Sequence, residues 1–230
     1  MSELIDSKWR SQLNVLRIVF DDQIVLIGEN ALSLWAQHYG LDDVADIGTK
    51  ELQFYANHAD MEAADVRLSS LPHSSTFNTI DHESSLPSYI GSIQVNNHHD
   101  SIVIDYFGHV DGVTNSDLRL QALPYVLEGT DPTTLRVMHP MMCLDYWMTK
   151  LVLSHKGKDP HLARCATVSI EVARAHIEQC VEQKDIAMAM GAIQRVQALA
   201  DSEAGQRAWH LHGVDVSSAV PALTLLADNS

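Results

Sequence analysis

The first apolar rhythm in the chain is helical. Leu4, Ile5, Trp9, Leu13, Leu16, Val19 and Phe20 fall at roughly helical spacing with charges between them, and Asp21 and Asp22 break the pattern. Ile24-Val25-Leu26-Ile27 then forms a short apolar run, rich in β-branched residues, that ends on Gly28. Such a run predicts a buried strand and its turn. Ala31, Leu32, Leu34, Trp35 and His38 resume a period near 3.6, and Gly40 sits where a helix stops. The opening unit reads as strand, glycine turn, helix.

Downstream, residues 42–48 form a polar connection, and Glu51-Leu52-Gln53-Phe54-Tyr55 alternates as a half-buried strand. A short helix is predicted around 58–69, followed by an irregular excursion over 70–88, where Ser, Pro, His and Asp concentrate. Ile90 to Val95 and Ser101 to Phe107 read as two strands of a hairpin, joined by Asn96-Asn97-His98-His99-Asp100. Further short strands are predicted between 118 and 138. At His139-Pro140 the pattern turns helical over 141–155, 160–183, 186–200 and 203–212, with Pro140 suited to a first helical position. The expected organisation is an α/β domain over 1–138 and a helical domain over 139–230.

Composition narrows the function classes. A chain of 230 residues that is 46% hydrophobic can bury a sizeable core without disulfides or a structural metal. Thirty acids against fifteen bases give a formal charge of -15. That balance argues against a broad phosphate-backbone footprint, so duplex DNA is not an expected partner. Cys143, Cys165 and Cys180 show no CxxC spacing and read as buried thiols in a reducing compartment. No apolar run approaches the eighteen or so residues of a membrane span. The first residues carry acids where a signal peptide carries bases, so a soluble, cytoplasmic protein is expected.

Three pieces carry candidate chemistry. Ile27-Gly28-Glu29-Asn30-Ala31-Leu32 places a glycine between strand and helix. Thr49-Lys50-Glu51-Leu52-Gln53-Phe54 is a strand on which Glu51 and Gln53, two apart, share one face. Ile102-Val103-Ile104-Asp105-Tyr106-Phe107 holds one acid inside an apolar strand, a costly position unless that acid has a partner or a metal.

Taken in order, these pieces resemble the nucleotidyltransferase superfamily with the polymerase-beta-like fold, nearest to bacterial stand-alone members related to abortive-infection toxins. The family pattern is a strand ending in Gly followed by Gly or Ser, a strand carrying Asp-x-Asp, and a later strand with a third Asp. Val137-Met138-His139-Pro140, running into Leu144-Asp145-Tyr146-Trp147-Met148-Thr149-Lys150-Leu151, is similar to the family's His-Pro helix start. The likeness spans roughly residues 10–185. It implies an α/β fold, a nucleotidyltransferase-like mixed sheet flanked by helices, followed by a C-terminal helical bundle. It also implies catalytic positions at Glu51, Gln53 and Asp105, with Glu51 and Asp105 as metal ligands. Nucleotide-facing positions would be Gly28, Glu29, Thr49, Lys150 and Lys156.

The family chemistry needs carboxylates. Two divalent ions clamp the attacking and leaving oxygens of an in-line displacement, and Mg²⁺ prefers hard oxygen ligands. A glycine turn at a helix N-terminus lets backbone N–H groups approach a triphosphate. This sequence departs from the pattern where the chemistry is most demanding. Glu29 stands where the second Gly or Ser belongs, and Glu51 and Gln53 replace the paired aspartates. Only Asp105 is unchanged. Glu29 has a plainer role as a first-turn acid that complements the helix dipole, but the same charge repels a phosphate.

Other features read plainly. Lys150, Lys156, Lys158 and Arg164 form the densest basic stretch, which either faces a nucleotide or simply caps a helix end and a turn. His98-His99 and the His210/His212 pair make no four-ligand set and read as surface residues. Gly-x-Ser-x-Gly is absent, so a hydrolase triad has no support. The four tryptophans, Trp9, Trp35, Trp147 and Trp209, read as core or interface anchors. The sequence therefore points to a degenerate nucleotidyltransferase with an eroded metal site, acting as a non-catalytic binding or regulatory component with a protein partner. The alternative is an active Mg²⁺-dependent enzyme moving a nucleotide from a nucleoside triphosphate to RNA, protein or a small molecule, in a toxin or defence system. A third reading is a structural protein whose helical C-terminus carries the partner.

Overall fold

A computed structural model describes residues 15–21, 23–41, 47–49, 51–77, 88–96, 101–127, 132–154 and 159–221. The chain divides into two compact units. The first comprises 1–30, 49–110 and 114–138; the second comprises 31–48, 111–113 and 139–230.

The first unit is built on a seven-stranded mixed sheet. Its strands are β1 (Val25–Ile27), β2 (Leu52–Tyr55), β3 (His73–Phe77), β4 (Gly91–Asn96), β5 (Ser101–Phe107), β6 (Leu123–Leu127) and β7 (Thr133–Val137). They lie in the order β3-β4-β5-β2-β1-β7-β6. β1 pairs antiparallel with β2 and parallel with β7, and β2 pairs parallel with β5. The centre of the sheet is fully buried through Leu26, Leu52, Phe54, Ile104 and Tyr106, with the Phe54 and Tyr106 rings stacked at 6.0 Å. Along β5 burial alternates: Ile102, Ile104 and Tyr106 face the core, while Val103, Asp105 and Phe107 lie on a half-buried face. That alternation follows from the two-residue period of a strand.

Helix α1 (Gly28–His38) leaves β1 directly, and the unit boundary falls within it, after Asn30. Helix α2 (His58–Arg67) starts with a reciprocal cap, in which Asn57 Oδ1 accepts from the Asp60 N–H and an Asp60 oxygen accepts from the Asn57 N–H. Helix α3 (Asn115–Gln121) precedes β6.

The second unit is helical: α4 (Pro140–Leu153), α5 (Pro160–Glu182), α6 (Ile186–Asp201) and α7 (Glu203–Arg207). Both α4 and α5 begin with proline at the first position after a capping side chain, His139 and Asp159. Lys184 takes a left-handed conformation between α5 and α6. The core here includes Leu144, Met148, Val172, Ile177, Ala189 and Val196. Trp35 and Trp147 are buried, whereas Trp209 is 53% exposed. All three cysteines are buried and none is disulfide-bonded. Among the described residues, no helix is long and apolar enough to cross a membrane.

Three local expectations need correction. The predicted irregular stretch 70–88 contains strand β3, which pairs antiparallel with β4 from His73↔Val95 to Phe77↔Gly91. Its sequence, His-Ser-Ser-Thr-Phe, carries almost no hydrophobic signal because an edge strand is held by backbone pairing. Residues 118–121, expected to be strand, close helix α3, with Leu118 fully buried. Glu51 lies just ahead of β2 rather than within it. The described part of the segment predicted as a first helix is helical over 15–19.

Candidate functional site

Strand pairing brings several of the sequence-predicted positions together. Ile27 pairs with Gln53 across β1 and β2, and Gln53 pairs with Asp105 across β2 and β5. Directly paired residues present their side chains on the same face, so Gln53 and Asp105 are neighbours. Gly28 follows Ile27 and takes φ = +71°, a conformation that suits glycine. A Cβ at Gly28 would lie 2.1 Å from Gln53 Oε1, so the missing side chain is the space the glutamine amide occupies.

The start of α1 is tied to the chain ahead of β2. Asn30 Nδ2 donates to the Glu51 carbonyl oxygen at 2.5 Å, and Thr49 Oγ1 donates to the same oxygen at 3.0 Å. Asn30 is only 2% exposed, and its Oδ1 has no hydrogen-bond partner among the described residues. Thr49 is thus engaged with the main chain. Sequence reading gave Asn30 no role; the available signal was a polar residue following the glycine turn on a face that is otherwise apolar. Glu29 sits half-buried in the first turn of α1.

Asp105 lies on the half-buried face, and the Tyr89 hydroxyl donates to its Oδ1 at a long 3.4 Å. Burial pushes the Asp105 carboxyl above the usual carboxylate range, the negative charge of Glu51 adds to that, and the Tyr89 hydroxyl works against it. Glu51 itself is exposed. Gln53 and Asp105 therefore stand side by side on β2 and β5, next to Gly28, and the charge of Glu51 is felt at Asp105.

Of the predicted lysines, Lys150 is described and belongs to the helical unit. Lys150, at the end of α4, forms an ion pair with Asp111 at 3.1 Å and lies 5.5 Å from the centre of the Tyr146 ring. Lys156 and Lys158 lie outside the described residues, as do His98 and His99. Arg164 is exposed on α5.

A second cluster, which sequence reading did not find, is buried in the helical unit. Tyr39 Oη is 3.0 Å from His176 Nδ1, Cys180 Sγ is 3.8 Å from His176 Nε2, and the His139 ring packs edge-on to His176 at 4.8 Å. Burial, then the neighbouring His176 and Arg195, hold the His139 imidazole down at about 3. Burial and His38 lower His176 as well. Burial likewise pushes the Tyr39 hydroxyl and the Cys143 thiol well above their ordinary ranges. These groups stay neutral at physiological pH. Since His139 Nδ1 also accepts the Met141 N–H and caps α4, the cluster reads as a helix junction.

The carboxylates at the sheet can hold one hard cation at most. A two-ion clamp needs several anionic oxygens close together, and Gln53 contributes only a neutral carbonyl. Among the described residues, no group of three carboxylate, imidazole or thiol donors forms around Asp105. The donor set does not fit a pair of Mg²⁺ ions.

No protein-family model matches the chain, and no curated protein matches it. Among solved structures it is similar to JHP933 from Helicobacter pylori, at 14% identity and a TM-score of 0.40, over 95% of this chain and 88% of that one. It is also similar to a protein from H. pylori described as a candidate nucleotidyltransferase, at 12% identity and a TM-score of 0.38, over 96% of each chain. Likeness at this level assigns neither a family nor an activity.

Proposed function

We propose that the chain is a nucleotidyltransferase-like protein whose metal site is eroded, and that it acts as a non-catalytic binding or regulatory component. The observation that carries this reading is the register pair Gln53↔Asp105 beside Gly28. This pairing supports the reading because a neutral amide stands beside Asp105 where the family pattern has a second carboxylate. Two divalent ions a few ångströms apart repel strongly, and carboxylates must offset that repulsion. Glu29 at the start of α1 adds negative charge where a triphosphate would approach the helix N-terminus.

The test is transfer from labelled ATP, GTP, CTP and UTP at physiological Mg²⁺, together with calorimetry of Mg²⁺ and ATP. The expected outcome is no transfer and no binding heat. Transfer by the unmodified protein that disappears in Asp105→Ala overturns the reading. The triple change Glu29→Gly, Glu51→Asp and Gln53→Asp is expected to restore Mg²⁺-dependent triphosphate binding.

One observation favours the active alternative. Burial raises the Asp105 carboxyl first and the negative charge of Glu51 adds to it, which is what a second anion near Asp105 does. One divalent ion at Glu51 and Asp105 would support a weak Mg²⁺-dependent transfer to RNA, protein or a small molecule. Single-turnover assays with excess protein separate the two readings.

A further inference from the structure

The helical unit holds a concavity of about 340 Å³. Its walls include Asp201, Gln206, Trp209, Asp215 and Val216. They come from three successive elements: the last residue of α6, helix α7 with the π-type turn that follows it, and the 3₁₀ turn Val216–Ala219. Gly205 lets α7 press against the end of α6, since a Cβ there would lie 2.2 Å from the Leu199 carbonyl oxygen. Arg174 Nε, on α5, donates to the Ser218 carbonyl oxygen at 2.9 Å and anchors the 3₁₀ turn. The shape is therefore built by packed backbone, not by a loose loop.

The lining selects a class of ligand. Trp209 is 53% exposed although Trp35 and Trp147 are buried, so one large aromatic face is left for contact. Asp201 and Asp215 supply two negative charges, and the C-terminal end of the sixteen-residue α6 adds the negative end of a helix dipole. Arg207, the basic residue on α7, lies 3.9 Å from Glu203 in an ion pair on the same helix. A small hard metal ion wants oxygen ligands all round and has no use for an indole wall. A flat, delocalised or alkylated cation uses both the ring face and the carboxylates. The volume is at the small end of ligand sites, sized for a side chain or a small molecule.

We propose that this concavity binds an organic cation, a guanidinium or alkylammonium group, stacked on Trp209 with Asp201 and Asp215 as counter-charges. The group is either an arginine side chain presented by a partner protein or a free polyamine. Calorimetry on the full chain tests this with four probes: N-acetylarginine amide, its neutral isostere N-acetylcitrulline amide, an arginine-bearing peptide, and spermidine. Saturable binding of a cationic probe, at least about tenfold tighter than citrulline, is expected from combined cation–π and charge contacts. Trp209→Ala and Asp215→Asn should each weaken it severalfold. Asn retains an acceptor for the Ser217 N–H and hydroxyl that Asp215 Oδ1 now holds, so that variant keeps the turn. Tighter binding of the peptide assigns a partner side chain; tighter binding of spermidine assigns a free amine. Equal response to citrulline, no saturable response to any cation, or affinity unchanged in folded Trp209→Ala and Asp215→Asn overturns the proposal.

Discussion

Asp105 in the sheet unit and Asp145 in the helical unit meet the same physical problem in different ways. Burial pushes both carboxyls above their usual range. Asp145 sits on α4 opposite Arg195 of α6, whose Nε donates to Asp145 Oδ2 at 2.8 Å while Nη2 donates to the same oxygen. The guanidinium pulls back part of what burial costs. Asp105 has a distant tyrosine hydroxyl and a second acid for company, so its neighbour makes ionisation harder. A structural acid is answered by a cation of its own unit. An acid with no cation among the described residues, on the half-buried face of a sheet, is the kind of position a ligand site uses.

Acid should separate the two units most sharply. The His139 imidazole is held at about 3, against an ordinary 6.5. A depressed histidine gives stability that is fully present above the unfolded value and is lost as pH falls from about 6.5 towards about 3. Linkage sets the loss at the order of 4 kcal/mol by pH 3, and His176, lowered in the same direction, adds to it. His139→Asn keeps a side-chain acceptor for the Met141 N–H and removes the titration. Urea unfolding at neutral and mildly acid pH should show the variant losing much less stability between the two than the native chain. Equal losses would mean that the junction is not the acid-labile element.

Removing the guanidinium tests the contrast from the other side. Arg195→Ala leaves Asp145 buried with no cation, as Asp105 is among the described residues. Breaking a fully buried pair costs roughly 3–5 kcal/mol. Since the Arg195 side chain is 35% exposed, about 2–3 kcal/mol is expected here after screening. Replacing both partners with apolar residues of similar size, Asp145→Leu with Arg195→Met, should recover most of that loss. If the single change is neutral in a denaturant melt, the pair is decoration and the comparison fails.

Gly28→Ala probes the sheet site in turn. A left-handed backbone costs a residue with a side chain about 1–2 kcal/mol, and the methyl group also collides with Gln53 Oε1. A total near 2 kcal/mol is expected, most of it backbone strain because the glutamine end can swing aside. In a Gln53→Ala background the collision disappears and the backbone part stays. Full recovery there would show that the glycine serves only to seat the glutamine.

Much of this arrangement was legible in the sequence, for reasons that differ along the chain. The run Ile24–Ile27 ending on Gly28 and the helical period after it fixed β1 and α1, because burial and the glycine turn both leave a local mark. Helices α4 and α5 were equally plain, from Pro140 and their long apolar periods. Strand β3 was invisible, since an edge strand of Ser, Thr and His is held by its partner's backbone and needs no apolar pattern. The same applies at the sites. The two-residue spacing named Gln53, and the lone acid named Asp105. Which strands would carry them side by side depends on the parallel β2–β5 pairing, a long-range choice. Asn30, the His139–His176 junction and the Trp209 concavity depend on contacts between elements distant in sequence, and composition carries no trace of them.

The smallest expected effect bears on the comparison most directly. Asp105→Asn removes a charge that its surroundings disfavour, while the Tyr89 hydroxyl retains an oxygen to donate to. The sign follows from the raised proton affinity. An acid whose folded value lies above its ordinary 3.8 contributes stability below that value and loses it as pH rises through the folded one. Above that range the native chain carries the cost of the ionised group and the asparagine variant does not. The variant should therefore be slightly more stable at neutral pH, by less than about 1 kcal/mol because the site is half solvated, with the gain shrinking as pH falls towards 4. Arg195→Ala loses stability by depriving a buried acid of its cation, and Asp105→Asn gains it by removing an acid with no cation among the described residues. Paired denaturant melts across pH read both signs. A loss at Asp105 at neutral pH would mean that its carboxylate is already answered within the protein, and its claim to be a ligand position would go with it.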